Sequence, residues 1–447
     1  MTSEQRVVVI GGGLAGLRLA QRLGAAAAVT VLGEEQHVPY NRVLLAEVLA
    51  GRYAPEVAAL PAPGPALRRG VRAVRIDRAD RTVHCDDGST ERYDTLVLAT
   101  GSNPVLPPLR GLFEPDGREL PDGVHAFRTM DDCLALSAAV RPGVRAVVIG
   151  GGLLGVSAAR ALAERGAQVV LAQQAERLLE RQLDADASAL LHAHLSTLGV
   201  EIHTECRVRG LTTEPPPGRR DQAPPRTPAP AGPGRDPARD PAGDPGRRPH
   251  RSPAGPRRVT GVELADGYRL DADLVVLACG VRPRTGLALA AGLEVRTGIV
   301  VDDRLRTDDP RIHAIGDCAE HAGRVYGLAG PALEQADALA AVLTGAGATG
   351  SAPEPAPYTG TRSLTRLTLA GTDLAAFGET TALPGDDVVR LTDATRRTYR
   401  KVVVRGDRLV GGVLLGELST VGALARSWED GEPLTDLFHL LTDDGGH

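Results

Sequence analysis

The sequence is poor in aromatic residues, in lysine and in long apolar runs. Aromatic residues make up only 3% of the 447 positions, and Lys401 is the single lysine. The core must therefore come mainly from Ala, Val and Leu. No apolar run approaches the roughly 20 residues of a membrane span, and a net charge of −5 gives no reason to expect nucleic-acid binding. We expect a cytoplasmic protein of two or three domains that binds neither membrane nor nucleic acid.

Cysteine is also scarce, and its spacing excludes several redox and metal sites. No C-x-x-C or C-x₄-C pattern occurs among Cys85, Cys133, Cys206, Cys279 and Cys318. A sequence-local redox disulfide, a zinc ribbon and an iron–sulfur ligand set are therefore not expected. The eleven histidines show no metal-binding spacing either. We predict no metal site, and each cysteine is most simply a small buried hydrophobic residue.

Glycine, by contrast, is abundant, and it forms the same motif twice. Gly11–Gly16 and Gly150–Gly155 both have the pattern G-x-G-x-x-G, and each follows an apolar run, Val7–Ile10 or Ala146–Ile149. The first glycine makes a tight turn, the second lets the backbone approach a pyrophosphate, and the third lets the next helix pack closely. One such motif is weak evidence, but two in strand–turn–helix context predict two dinucleotide sites. Electrons would then pass between two cofactors.

An acidic residue about 20 positions after such a motif usually binds the adenosine ribose. In the first unit Glu34 stands there with Glu35 beside it, which suits the free 2′-hydroxyl of FAD. In the second unit the residue is Gln173, and Arg177 and Arg181 follow, so nothing there would repel a 2′-phosphate. The sequence does not decide between NADH and NADPH as the ligand, because the two arginines are equally consistent with solvated surface charges.

The rest of the chain repeats this design. The order of elements predicts an α/β protein with two Rossmann-like units and a small C-terminal α/β region over 358–447. Strands are predicted at Val29–Leu32, Tyr93–Gly101, Arg145–Ile149, Gln168–Ala172 and Asp273–Gly280, within 71–85, and near Leu364–Leu369, Val402–Val404 and Leu409–Leu415. Helices are predicted at Leu14–Leu23, Leu153–Arg165 and near Thr420–Trp428.

One segment breaks the pattern. Residues 214–257 hold 14 of the 33 prolines, many arginines and almost no Val, Leu or Ile. Such a composition cannot bury enough apolar surface to order itself, so we predict a disordered insertion; an arginine-rich interaction segment is the alternative. The insertion separates Arg207–Leu211 from Val259–Val262, which resemble the two arms of one hairpin. A milder linker is expected at Gly345–Pro357.

Further motifs give the chain a resemblance to a known family. Together with the glycine motifs, Ala99–Gly101 and Ile315–Ala319 make it similar to the FAD/NAD(P)-dependent reductases with two dinucleotide-binding domains, the pyridine nucleotide-disulfide oxidoreductase superfamily. The stretch His37–Leu45 resembles the flavin-binding part of NAD(P)H nitrite reductase large subunits and of assimilatory nitrate reductase electron-transfer subunits. The other segments that match this subfamily are Tyr326–Ala329, Ala370–Leu374 and Tyr399–Val404.

The resemblance implies FAD in the first unit and NAD(P)H in the second. The expected FAD domain is 1–115 with 283–345, the NAD(P) domain is 116–282, and the C-terminal domain is 358–447. Asp317 would hydrogen-bond the ribityl chain, Arg42 would approach the pyrophosphate, and the backbone of Ala73 would touch the adenine. The other expected FAD residues are Gly11, Gly13, Leu14, Ala15, Gly16, Glu34, Glu35, Thr100 and Gly101. The expected NAD(P) residues are Gly150, Gly152, Leu153, Leu154, Gly155, Gln173, Arg177 and Gly280.

The sequence departs from the resemblance in two respects. Ala46-Glu47 stands where rubredoxin and ferredoxin reductases often have Ser-Lys, so a lysine near flavin N5 is absent. The cluster and sirohaem regions of a full nitrite reductase do not fit here, so nitrite reduction by this chain alone is not expected. Without a dithiol beside the flavin, glutathione-reductase chemistry is excluded, and we predict no catalytic side chain because the flavin carries the chemistry.

These features predict an FAD-dependent NAD(P)H oxidoreductase that passes electrons to a separate protein, in nitrate or nitrite assimilation. The acceptor would be a nitrate or nitrite reductase catalytic subunit, a ferredoxin or a rubredoxin. The alternatives are a rubredoxin- or ferredoxin-type reductase, a diaphorase and, outside the enzymes, a regulatory or scaffolding flavoprotein.

Overall fold

The computed structural model describes most of the chain. The described residues are 5–61, 66–114, 117, 119–215, 256–345, 356–362, 364–368, 372–393, 395–431 and 433–434. Most of the expected insertion (216–255), most of the expected linker (346–355) and the residues Ala370 and Gly371 lie outside them. Over the described ranges no helix combines the length and the apolar character that crossing a membrane requires.

The first nucleotide-binding unit is built on a five-stranded parallel sheet. Its central strand, Arg6–Ile10, is buried from Val7 onward. A parallel strand covered on both faces has no polar side, which explains the unbroken run of branched apolar residues. The helix Leu14–Leu23 follows this strand and packs on the helix Ala329–Gly345. In spatial order the strands are Ile312–Ala314, Thr95–Leu98, Arg6–Ile10, Ala28–Gly33 and Leu67–Arg69.

The second unit repeats the first. It has a five-stranded parallel sheet around Arg145–Ile149, followed by the helix Leu153–Glu164. In each unit one Arg–Asp ion pair joins the start of the central strand to the residue before the neighbouring strand: Arg6 with Asp94 at 2.9 Å, and Arg145 with Asp273 at 2.9 Å. In spatial order the strands are Val200–His203, Gln168–Ala172, Arg145–Ile149, Leu274–Leu277 and Val124–Ala126.

Smaller sheets complete the two units. The connections between them run side by side, because Ser102–Pro104 pairs antiparallel with Val281–Pro283. The expected hairpin is confirmed, since Val208–Glu214 pairs antiparallel with Arg258–Leu264. The remaining strands are Ala73–Asp77, Thr82–Cys85, Thr90–Arg92, Arg269–Asp271, Ile299–Val301 and Ala319–His321. The remaining helices and 3₁₀ turns of these units are Leu45–Leu49, Met130–Ala139, Ala185–Thr197, Gly286–Ala290, Gly24–Ala26, Arg42–Leu44, Pro55–Ala58 and Gly316–Cys318.

The C-terminal region is an antiparallel sheet with the helix Val421–Asp430 on one face. Its other face shares a core with the second unit and with the helix Leu45–Leu49. The single lysine serves this contact, because Lys401 Nζ donates to Asp184 Oδ2 at 2.7 Å. In spatial order the strands are Leu364–Leu367, Asp373–Gly378, Arg408–Gly416, Thr398–Arg405 and Asp387–Asp393. The predicted fold class, α/β with two Rossmann-like units, is confirmed.

Candidate functional site

Both glycine motifs open onto one cleft of about 1960 Å³. Ordinary small-molecule pockets reach roughly 1,000 Å³, so this cleft has room for more than one ligand. Gly16, Gly155 and Arg177 do not line it. The other residues predicted to bind FAD or NAD(P)H all do: Gly11, Gly13, Leu14, Ala15, Glu34, Glu35, Arg42, Ala73, Thr100, Gly101, Gly150, Gly152, Leu153, Leu154, Gln173, Gly280 and Asp317.

The third glycine of each motif is required by packing. A Cβ on Gly16 would lie 2.1 Å from the carbonyl oxygen of Gly11, and a Cβ on Gly155 would lie 1.7 Å from that of Gly150. Neither backbone can yield, because Gly11 and Gly150 adopt φ of +124° and +112° and approach a neighbouring strand end themselves. Gly16 and Gly155 therefore let each helix start directly against its strand, as the motif predicts.

The middle glycine of each motif faces open space instead. Gly13 and Gly152 have extended backbone and precede the helices Leu14–Leu23 and Leu153–Glu164, with no side-chain cap on either helix. A Cβ on either glycine would meet nothing within 4 Å. The first N–H groups of both helices are thus available, and a helix start of this kind favours phosphate.

On the side of the cleft formed by the first unit, Asp317 accepts two hydrogen bonds. Its Oδ2 atom accepts from Ser102 Oγ at 2.8 Å and from Arg128 Nη2 at 2.6 Å. The Arg128 side chain is only 15% exposed, and its buried Nε has no acceptor among the described residues. Burial lowers the pKa of Arg128 and the Asp317 carboxylate opposes this, so the guanidinium keeps its charge. A cationic side chain that lines the cleft suits a phosphate- or hydroxyl-bearing ligand.

Arg128 is not among the residues predicted from the sequence, although a local signal is present. The helix Met130–Ala139 begins with a capping box, in which Thr129 Oγ1 accepts the N–H of Asp132 at 3.1 Å. The Asp132 carboxylate in turn accepts the N–H groups of Arg128 at 3.0 Å and Thr129 at 2.8 Å. This box fixes the backbone of Arg128. Its partner Asp317 lies 189 residues away, so only the tertiary fold reveals the pair.

Glu34 and Glu35, which follow the strand Ala28–Gly33, both have partners within the protein. Glu35 accepts from Tyr40 Oη at 2.6 Å and from Arg42 Nη2 at 2.6 Å, so it orients the cation expected near the pyrophosphate. Burial raises the pKa of Tyr40, which keeps its hydroxyl protonated. Glu34 pairs with Arg284 Nη2 at 2.6 Å. Arg284, another residue that sequence analysis missed, lines the cleft as well.

Arg284 is held in place through its backbone. Its N–H donates to the carbonyl of Gly101 at 2.9 Å, and its carbonyl accepts the hydroxyl of Thr100 at 2.7 Å. Thr100 and Gly101 thus bind the connection that returns from the second unit. Both residues line the cleft, and the turn that they form uses the left-handed φ of +71° at Gly101.

On the side of the cleft formed by the second unit, Gln173 contacts its own glycine motif. Its Oε1 atom accepts the N–H of Gly151 at 2.7 Å, and its Nε2 atom donates to the carbonyl of Arg177 at 3.4 Å, which leaves one amide N–H for a ligand. Arg181 and Glu180 line the cleft near it, whereas Arg177 does not and has a buried Nε. The ribose region therefore holds an amide donor, a cation and a carboxylate.

All five cysteines are free thiols, and two of them, Cys206 and Cys279, line the cleft. Burial raises the pKa of every one of these thiols, and it raises the pKa of Cys133 to about 11. The thiolate needed for nucleophilic or disulfide chemistry is therefore disfavoured at neutral pH. Over the described ranges, no group of three or more His, Cys, Asp or Glu side chains is arranged to hold a metal ion.

A third part of the chain also reaches the cleft. The edge strand of the C-terminal sheet, Leu364–Leu367, contributes all four residues to the lining. Sequence analysis predicted the strand but gave no reason to place it there.

The arrangement fits the two expected cofactors. Gly13 and Gly152 leave free space beside two uncapped helix starts, and Arg128 adds a positive charge to the lining of the cleft. These are the features that phosphate and hydroxyl groups of dinucleotides require.

Comparisons with known proteins agree with this geometry. Residues 5–218 and 247–336 match the sequence profile of the family described as pyridine nucleotide-disulphide oxidoreductase. Residues 364–431 match the rubredoxin NAD+ reductase C-terminal domain.

Individual relatives point the same way. Nitrite reductase [NAD(P)H] of Bacillus subtilis (strain 168) is 32% identical over 93% of this chain and 46% of its own length. The assimilatory nitrate reductase electron transfer subunit of the same organism is 31% identical over 93% of this chain and 48% of its own length. This chain thus spans about half the length of these relatives. The solved covalent putidaredoxin reductase–putidaredoxin complex has a TM-score of 0.77 and 26% identity, covering 96% of this chain and 94% of that chain.

Proposed function

The chain belongs to the pyridine nucleotide-disulphide oxidoreductase family, and on that premise we propose that it is an FAD-dependent NAD(P)H oxidoreductase that delivers electrons to a separate redox protein. The observation that carries the proposal is the shared cleft, onto which two uncapped glycine-motif helices open. A hydride, which is two electrons with one proton, would leave NAD(P)H there and pass its electrons on through the flavin.

FAD would supply the redox chemistry, and the protein would bind and orient the two cofactors. We propose that Gly13 and the start of Leu14–Leu23 receive the FAD pyrophosphate together with Arg42, while Asp317 and Arg128 hold the ribityl region. Gly152 and the start of Leu153–Glu164 would receive the pyrophosphate of NAD(P)H. The other cleft residues named above, with Gly16, Gly155 and Arg177, complete the proposed binding sets. The raised thiol pKa values speak against a cysteine step.

We propose nitrate or nitrite assimilation as the context. The support is the identity to a nitrite reductase and to a nitrate reductase electron transfer subunit over 93% of this chain. The match of residues 364–431 to a rubredoxin reductase domain, and the likeness to a reductase solved with its redox protein, favour a second candidate, a ferredoxin- or rubredoxin-type reductase. In both candidates electrons would pass from NAD(P)H to the flavin, and the two differ only in the protein that accepts the electrons from the flavin.

The division of the chain is part of the proposal. We assign 1–115 and 283–345 to an FAD domain, 116–282 to an NAD(P) domain and 358–447 to a C-terminal domain. Two parallel sheets and a third, antiparallel sheet support it, and the first parallel sheet has an apolar core apart from that of the second. A cytoplasmic location is also proposed.

Acceptor assays on the FAD-loaded protein test the proposal. We expect oxidation of NADH or NADPH with ferricyanide, and faster turnover with one protein acceptor from a panel of a ferredoxin, a rubredoxin and a nitrate reductase catalytic subunit. Nitrite alone should not be consumed. Failure to oxidise either nucleotide with any acceptor would contradict the enzyme assignment and favour a scaffolding flavoprotein.

A further inference from the structure

A partly buried ion-pair network joins the flavin side of the cleft to the nicotinamide side. Arg160 on the helix Leu153–Glu164 is completely buried and donates to Glu47 on the helix Leu45–Leu49. Arg160 Nη1 also lies 3.3 Å from both carboxylate oxygens of Glu164. Arg52 closes the ring, because it donates to Glu47 at 3.3 Å and to Glu164 at 2.7 Å. Each guanidinium thus contacts both carboxylates.

The network lies directly behind the cleft. Glu47 does not line the cleft, but the adjacent residue Ala46 does. On the opposite helix Ser157 lines the cleft, and it stands three residues before Arg160, on nearly the same helix face. The network therefore links the backbone segments that border the cleft from its two sides. Glu47 also stands where rubredoxin and ferredoxin reductases often have a lysine, so this chain has a carboxylate at that position, and Arg160 pairs with it.

The stability of the protein does not explain such a pair. Removing two charges from water is expensive, and apolar residues of similar size often replace a buried ion pair with no loss of stability. The surroundings here are apolar, with Leu45, Val48, Ala159 and Leu162 all buried in the same core. The Nε atom of Arg160 is also left without an acceptor among the described residues. Unlike apolar contact, an ion pair requires a specific orientation of its groups, and it therefore stabilises a single arrangement of the two helices.

We propose that Glu47 and Arg160 are positioning residues that fix the helix Leu45–Leu49 against the helix Leu153–Glu164 and so set the approach of nicotinamide to flavin. The inference rests on the proposed function, because it assigns the two cofactors to the two sides of the cleft. Hydride transfer is sensitive to such positioning, since a displacement of about 1 Å can slow a reaction about a hundredfold.

The double variant Glu47→Leu/Arg160→Met separates positioning from stability. It removes both buried charges, keeps the net charge, and leaves Arg52 paired with Glu164. We expect it to fold, to bind FAD one to one and to unfold at the same or a higher temperature. In the apoprotein, hydrogen exchange in 45–52 and 153–165 should be about tenfold faster. In the FAD-loaded protein, the limiting rate of flavin reduction should fall about tenfold or more, with a larger isotope effect from deuterated NAD(P)H and an unchanged Kd for the nucleotide.

A second buried ion pair provides the matched control. Lys401 and Asp184 join the C-terminal sheet to the second unit and do not border the cleft from both sides. Asp184→Asn/Lys401→Met should leave the exchange of 45–52 and the limiting rate of reduction unchanged. Equal exchange and equal rates in the wild type and in the Glu47→Leu/Arg160→Met protein would overturn the proposal.

Two further results keep the test decisive. If the double variant does not fold, Arg160→Lys replaces it: this variant keeps the charge but cannot bridge both carboxylates in the same way, and it should show the same slow reduction with FAD retained. Normal reduction of that variant would overturn the proposal. If wild-type flavin is reduced by neither NADH nor NADPH, the proposed function has failed, whereas the hydrogen exchange of the apoprotein still decides whether the pair fixes the two helices.

Discussion

At the scale of single residues, the two motifs contain glycines that are required for different reasons. Gly16 and Gly155 are required by the fold, because any Cβ there would overlap a backbone carbonyl. Gly13 and Gly152 are not required by the fold, because a Cβ there meets open space at the cleft. Sequence analysis could assign these roles in advance, since the spacing of the motif dictates them. It could not find Arg128 or Arg284, whose partners Asp317 and Glu34 are distant in sequence.

Variants at Gly13 and Gly16 should therefore fail in different ways. Gly13→Val should fold normally, because an extended backbone accepts a branched residue, and it should purify without FAD. Gly16→Ala should lower the free energy of unfolding by about 1–3 kcal/mol, as overpacking does. Thermal unfolding of the apoproteins together with flavin absorbance measures both effects. A stable Gly16→Ala protein, or a Gly13→Val protein with stoichiometric FAD, would contradict the assignment.

The thiols give a second prediction at this scale. Because burial raises the pKa of all five, a protein with each cysteine replaced by Ala or Ser should reduce its flavin within about tenfold of the wild-type rate, or about 1.4 kcal/mol of barrier. Cys318 is completely buried, so Ala is preferred there to avoid burying a hydroxyl. Stopped-flow bleaching of the flavin band checks this. A much slower reduction with the flavin retained would mean that a thiol takes part.

At the scale of elements, much of the two units could be predicted. Runs such as Ala146–Ile149 are buried on both faces, and that burial is visible in sequence as unbroken apolar residues. Helix Leu14–Leu23 was predicted to the residue. The strand Asp387–Asp393 was missed, because it lies at a sheet edge and alternates polar with partly buried residues. The helix Ala185–Thr197 was missed too, since its apolar residues show little clustering on one face.

The repeated Arg–Asp pair gives a prediction about acid stability. The hydrogen bond from Arg6 lowers the pKa of Asp94 to about 2, and that from Arg145 lowers the pKa of Asp273 to about 2. Carboxyls with depressed pKa values stabilise the fold above their unfolded pKa of about 4, and this stability is lost as the pH falls toward 2. Asp94→Asn/Asp273→Asn should therefore lose less stability than the wild type between pH 5 and pH 3.

Urea unfolding at several pH values measures this difference. The variant Glu56→Gln is a suitable control, because the Glu56 side chain is exposed. Parallel pH profiles for the wild type and the double Asn variant would show that the pairs contribute nothing to acid sensitivity.

The hairpin around the expected insertion gives another prediction for an element. Its arms stay paired up to Glu214 and Arg258, with two register shifts along the way, so their ends already lie side by side. Replacing residues 216–255 with an Asn-Gly turn should preserve the hairpin, since that turn matches the twist of paired strands. We expect FAD content and ferricyanide reduction close to those of the full chain. Loss of flavin or of activity would show that the removed residues contribute to the folded core.

At the scale of the whole molecule, three parts of the chain meet at one cleft. The two Rossmann-like units supply the glycine motifs, and the C-terminal sheet supplies the edge strand Leu364–Leu367. The sequence predicts the two units because each carries its own local motif. It does not predict how they face one another, because that depends on contacts such as the pair of strands Ser102–Pro104 and Val281–Pro283. The ring of Glu47, Arg52, Arg160 and Glu164 is likewise not predictable from the sequence, because it also depends on tertiary contacts.

The central claim is that nicotinamide reduces flavin across this cleft, and anaerobic stopped-flow mixing of the FAD-loaded protein with NADH or NADPH tests it most directly. The wild type should lose its flavin absorbance in one exponential phase with at least one nucleotide. Gly152→Val, whose side chain would fill the space beside the second helix start, should keep its FAD and bleach at least about tenfold more slowly. Wild-type flavin that neither nucleotide bleaches, or equal rates in the two proteins, would contradict the account.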